Sequence, residues 1–169
     1  DNKFTKYLDS YNCPLFLMRY ESAELAKISI NLYLAASVSV ANTMSELCEK
    51  LDADWGEISP TMKSDRRIGH HAYLKPGLGI SGGNLERDLR SIVELANSYG
   101  TNADVVKSYI SDSEYRKDWV LRCLLNAESE VTRALTIAVL GLSYKENTAS
   151  TKNSASVALL SKISSQKRF

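Results

Sequence analysis

The sequence predicts a mainly α-helical fold: a central helical domain built on one long helix, with short Rossmann-like α/β pieces at both termini. Three observations carry this reading. The stretch from Ala23 to Leu51 contains neither Gly nor Pro. Four of the eight Gly (Gly77, Gly79, Gly82 and Gly83) fall in one short segment, which leaves most of the chain permissive for helix. Apolar runs of strand type stand near the two ends, at 13–19 and 134–142.

Composition narrows the function classes. The 169 residues are 44% hydrophobic and 24% charged, a balance that packs a core. The length suits one domain, or one domain plus fragments. A net charge of +1 argues against a mainly electrostatic hold on nucleic acid or a membrane surface. Three Cys without paired spacing make neither a disulfide framework nor a metal site, and they point to a reducing compartment. No run of ~18 uncharged apolar residues is present to span a membrane. The opening DNKFTKYLDS lacks the apolar core of a signal peptide, so a cytoplasmic location is expected.

Taken in order, Cys13 to Arg19 reads as a short strand behind Pro14. Ser22 is the expected N-cap of the long helix, with Glu24 facing the positive end of its dipole. At 1.5 Å per residue, ~30 residues span about 45 Å. Leu25, Ile28, Leu32, Ala35, Ala36, Val40, Met44, Leu47, Cys48 and Leu51 cover most of its circumference, the pattern of a helix buried between packed units. Asp54 to Lys63 carries Trp55, Ile58 and Met62 at near-helical spacing, with Pro60 expected to limit it to short turns. Regularity then stops from Ser64 to Gly83, an ordered loop of a length that is usually functional. Asn84 to Tyr99 is a helix closed by Gly100. Asn102 is expected to cap a second amphipathic stretch running through Leu124. Ala134 to Leu142 reads as a buried strand, and Ser154 to Ile163 as a short helix after it.

Three places could carry chemistry. Gly77-Leu-Gly79-Ile-Ser-Gly82 spells G-x-G-x-x-G, but HHAYLKP precedes it where a dinucleotide fingerprint needs a buried strand. A glycine-dense loop leading into a helix is still a place where backbone N–H groups meet a polar ligand; a flexible connector is the plainer alternative. On the long helix, Glu24, Lys27 and Asn31 form one polar stripe, in which Lys27 either pairs with Glu24 at a helix edge or finds a partner elsewhere. His70 and His71 are adjacent in the loop, lack helical i, i+4 geometry and have no third ligand nearby, so no metal is expected. Asp65-Arg66-Arg67 reads as a surface charge cluster unless a phosphate binds there.

Three stretches, ESAELAKISINLYLAASVSVANTMSELCEKLDADWGEI, DRRIGHHAYLKPGLGISGGNLERDL and IAVLGLSYKENT, lie in an order and spacing that resembles the UDP-glucose/GDP-mannose dehydrogenase family. The resemblance implies that 1–21 closes an N-terminal NAD-binding domain, 22–130 is the central helical domain, and 131–169 opens a C-terminal nucleotide-sugar-binding domain. The remainder of both flanking domains would lie outside this chain. The implied activity is NAD-dependent oxidation of the C6 hydroxyl of a UDP- or GDP-linked sugar toward the uronate, in two hydride transfers that serve polysaccharide biosynthesis. The resemblance also implies a homodimer through the long helix.

Residue by residue, Lys27 and Asn31 match the pair that steadies the developing oxyanion and positions water. Arg67, in Arg67-Ile68-Gly69, matches an Arg that reaches the sugar nucleotide of a neighbouring subunit. Tyr73, Lys75 and Gly79 belong to the matching substrate loop, so the G-x-G-x-x-G is implied to hold sugar and not NAD. Asp88 matches an Asp that assists proton transfer, and Lys145 a Lys that faces the nucleotide. Lys152 stands where the family has an Arg, as a cofactor-side contact that keeps the charge but not the fork.

The departure is Asn84, which stands at the position of the family's catalytic Cys. A carboxamide is no nucleophile at neutral pH, and an aldehyde yields a second hydride only after a nucleophile has made its carbon tetrahedral. Cys48 and Cys123 offer no reason to take over the role. Three readings follow from the sequence: an NAD-dependent enzyme of altered chemistry, which stops at the aldehyde or hydrates it without a covalent intermediate; a non-catalytic member kept for nucleotide-sugar binding or dimerisation; and an unrelated helical interaction module.

Overall fold

The computed structural model describes residues 3–129 and 136–165. Seven helices are found among them: α1 (Lys3–Asp9), α2 (Tyr20–Leu51), α3 (Trp55–Ser64), α4 (Asn84–Tyr99), α5 (Asp104–Lys117), α6 (Trp119–Ser129) and α7 (Ala155–Ser165). The mainly helical class therefore holds, and α2, with 32 residues, is its axis.

The start of α2 corrects the expected cap. Ala23 N–H already bonds the Arg19 carbonyl at 2.9 Å, so the helical ladder is running when it reaches Ser22. Arg19 is the extended residue ahead of the first turn, and Glu21 is the acidic group near the dipole's positive end. The helix stops at Asp52, which turns left-handed at φ 55°. Asp54 then caps α3, its Oδ1 accepting from Gly56 N–H at 2.6 Å. Pro60 does not reduce this stretch to short turns. Its ring forgoes one intrahelical bond, and the helix continues to Ser64 because Trp55, Ile58 and Met62 pack into a core with Ala41, Cys48 and Leu74.

A second core joins α2, α4 and α5 through Ala35, Leu89 and Val106, with Ile80 inserted from the glycine loop. The stretch after Gly100 is two helices rather than one. Asp118 N–H bonds back only three residues, to the Tyr115 carbonyl at 3.2 Å, and the ladder restarts with Arg122 N–H on the Asp118 carbonyl at 2.9 Å. Asn102 sits one residue ahead of the capping position, held by Ala103, yet its Oδ1 does accept from Asp104 N–H at 2.8 Å. The helix α7 packs on α5 and α6, with Leu159 buried and Lys162 paired to Asp118.

Neither terminal run forms a strand among the described residues. A strand is held by a ladder to a neighbour, and 13–19 and 136–142 have no such partner here. Phe16, Leu17 and Leu140 are consequently exposed. Residues 134 and 135 of the second run lie outside the described part.

Candidate functional site

The i, i+4 spacing on α2 puts Lys27 and Asn31 on one face, and packing of α4 against that face brings Asp88 to both. Lys27 Nζ and Asn31 Nδ2 both donate to Asp88 Oδ2, the latter at 2.6 Å. Arg87 lies alongside, its Nη2 3.3 Å from Oδ1. Lys27 thus pairs across the helix interface rather than with Glu24. Asp88 is only 5% exposed. The bond from Lys27 holds its carboxyl below the usual carboxylate range; burial opposes this, and Asn31 and Arg87 reinforce it. Asn84 opens α4 one turn before Asp88 and is exposed.

The glycine loop leads into α4 and is tied to α2 at Asn42 and to α5 at Ser113 and Arg116. Gly79 has φ +77°, and a Cβ there would stand 2.4 Å from the Ser113 carbonyl oxygen. Gly82, at φ +80°, leaves 2.8 Å between its would-be Cβ and the Tyr144 ring. Both glycines are therefore required by close approach as well as by backbone conformation. Ile80 N–H donates to Ser113 Oγ at 2.7 Å. Gly77 is held on both sides of its backbone: its N–H donates to Asn42 Oδ1 at 2.7 Å, and its carbonyl accepts from Arg116 Nε at 3.0 Å. Arg116 in turn pairs with Glu46, which also accepts from Arg122 and Tyr115. Burial pushes the Glu46 carboxyl up, but these three donors together leave it below its ordinary value.

A cavity of about 430 Å³ opens over this loop, and Tyr73, Lys75, Gly79 and Lys145 all line it, together with Tyr144 and Leu85. Three predicted substrate residues of one loop and a fourth, Lys145, from a distant part of the sequence therefore share one cavity wall. Lys145 lies over the Tyr144 ring at 5.6 Å. Arg67 is not among the lining residues; its exposed guanidinium is engaged by Asp65 at 2.6 Å. Lys152 lies beside Gly83, in a separate groove with Arg87 and Arg90. Among the described residues no His, Cys, Asp and Glu group has the arrangement of a metal site.

Sequence reasoning missed Asn42, Ser113, Arg116 and Tyr144. Asn42 alone left a signal, a carboxamide between Ala41 and Met44 on an apolar helix face. The others look like ordinary surface residues until the helices are assembled.

The sequence model for the central domain of the UDP-glucose/GDP-mannose dehydrogenase family matches residues 21–113. The chain belongs to this family. A UDP-glucose 6-dehydrogenase of Bacillus subtilis is 30% identical over 162 residues, 96% of this chain and 36% of that protein. A rat UDP-glucose 6-dehydrogenase is 30% identical over 140 residues, 80% of this chain and 28% of that protein. The structure of a UDP-glucose dehydrogenase from Pyrobaculum islandicum superposes with a TM-score of 0.84 at 28% identity, covering 96% of this chain and 38% of that one. The chain thus spans about a third of the length of the family members it matches. No helix among its described residues is long and apolar enough to cross a membrane.

Proposed function

We propose that this chain forms the sugar-handling part of a nucleotide-sugar dehydrogenase, and that Asn84 stops its chemistry short of the acid. The observation that carries the reading is the meeting of Lys27, Asn31 and Asp88; none of the three lines the glycine-loop cavity, but its lining residues Leu34 and Leu85 stand about one helical turn from Asn31 and Asp88. Lys75 and Lys145 supply the charge that a nucleoside diphosphate requires, and Tyr73 and Tyr144 give flat apolar surface.

Oxidising a C6 hydroxyl removes one hydride from carbon and one proton from oxygen. Asp88, held ionised by Lys27, keeps the ammonium aimed where an alkoxide develops, Asn31 adds a second donor, and the hydroxyl proton passes by way of the Asp88 carboxylate to water. NAD would accept the hydride. The described residues contain no strand–glycine–helix turn to hold it, and the G-x-G-x-x-G is tied to Asn42 and Ser113, so Lys152 is what this chain would offer NAD. The product at this stage is the aldehyde. Its conversion to a carboxylate needs a nucleophile on C6, which the carboxamide of Asn84 does not supply.

The same carboxamide favours one alternative, a member that binds nucleotide sugar without oxidising it. In the whole protein, NADH formed per UDP-glucose separates the two: one for oxidation to the aldehyde, none for binding alone, and two only after Asn84→Cys. Binding itself is tested by calorimetric titration of the chain with UDP-glucose. Saturable one-to-one heat is expected, weakened about tenfold by Lys145→Ala. No saturable heat at millimolar ligand would contradict the proposal.

A further inference from the structure

The cavity's floor is a loop with no regular secondary structure, so something outside the loop must fix it. Gly77 is gripped by two side chains from two helices, Asn42 of α2 on its N–H and Arg116 of α5 on its carbonyl. Both are almost wholly buried, Asn42 at 1% exposure and Arg116 at 4%. Burying a guanidinium is costly without a counter-charge, and Glu46, one turn beyond Asn42 on α2, provides it at 3.0 Å. Glu46 is not dependent on Arg116, because Arg122 and Tyr115 also donate to it. The guanidinium is thus divided in use: its Nη1 answers Glu46, while its Nε is committed to the loop.

We infer that Arg116 is a positioning residue whose Nε–H, together with Asn42, clamps the Gly77 peptide and so sets the floor of the cavity. Its ion pair with Glu46 keeps the guanidinium in place and is secondary. The consequence for ligand affinity rests on the nucleotide-sugar reading above; the clamp itself does not. Residues 77–80 carry the polar bonds to Asn42, Arg116 and Ser113, and the same residues line the cavity with Tyr73 and Lys75. Losing the Arg116 bond leaves a part-buried carbonyl without its donor and frees the loop toward the cavity.

Two substitutions separate the roles of the guanidinium. Arg116→Gln places an amide N–H donor on Cδ, the atom that carries Nε in arginine, and removes the charge that reaches Glu46. Arg116→Lys does the reverse, putting a methylene where Nε stood and carrying a cation on toward Glu46. Amide hydrogen exchange at Gly77 and Ile80 in the ligand-free chain, and the Kd for UDP-glucose, are the two readouts. With Arg116→Lys, exchange at both amides is expected to quicken, and binding to weaken, by about tenfold or more. With Arg116→Gln, both stay within about threefold of the wild type.

The opposite ranking would show that the charge pair alone matters, and would overturn the inference. Equal behaviour of the two variants, or exchange that rises throughout α2, α4 and α5 instead of in the loop, would overturn it too. If the wild-type chain bound no UDP-glucose, the nucleotide-sugar reading would fall while the exchange ranking still decided the clamp.

Discussion

Burial of Asp88 is tolerated because Lys27, Asn31 and Arg87 donate to its two oxygens. A carboxyl held below its ordinary value stabilises the fold at pH above its unfolded value, about 3.9, and that contribution disappears as pH falls through the folded one. Lys27 and Arg87 are more than half exposed, at 58% and 65%, which screens the attraction. Asp88→Asn is therefore expected to cost about 1 kcal/mol at neutral pH and to flatten the acid limb of stability below about pH 4. Urea midpoints measured from about pH 2.5 to about pH 7 check this; an unchanged acid limb in the variant would contradict it. The Lys27–Asn31 spacing was legible in the sequence because it depends only on helical periodicity. The choice of Asp88 over Glu24 as partner was not, since it depends on which helix packs on that face.

At the scale of elements, helices were read well because their signals are local: no breakers across α2, Gly100 closing α4, and apolar spacing in both. Boundaries were read less well: α2 is capped at Arg19 and not at Ser22, and so begins three residues earlier than expected, without any side-chain cap. The two terminal runs have strand composition, yet strand structure is a property of a pair, and no partner stands beside them among the described residues. The glycine loop shows the limit most clearly. Its glycines were visible, but the reason for Gly79 is a carbonyl on α5, 34 residues away in sequence at Ser113. Gly79→Ala combines a left-handed φ with a backbone clash, so it is expected to cost about 2–4 kcal/mol, read as a shift in urea midpoint. A cost below about 1 kcal/mol would show that the loop moves aside freely.

For the whole molecule, the question is what covers α2. Ile30, Tyr33, Val40, Met44, Leu47 and Leu51 are all exposed in the single chain. With Ser37 they repeat at alternating three- and four-residue steps, the seam of a helix that packs against another helix. A second copy crossing at this seam satisfies the apolar surface on both sides by one two-fold operation. The chain is expected to sediment and scatter light as a species of about twice 18.8 kDa, and Met44→Asp with Leu47→Asp to return it to the monomer. A mass of 18.8 kDa for the wild type from micromolar to millimolar concentration would contradict this.

A nucleotide sugar seated in the glycine-loop cavity has to extend past Leu34 and Leu85 to bring C6 to the Lys27–Asn31–Asp88 cluster. A crystal structure of the chain grown with UDP-glucose tests this most directly. The diphosphate is expected against Lys75 and Lys145, with the C6 hydroxyl within hydrogen-bond reach of Lys27 Nζ and the Asn84 side chain making no bond to C6. UDP-glucose found elsewhere on the chain, or in this cavity with C6 turned away from Lys27, would contradict it.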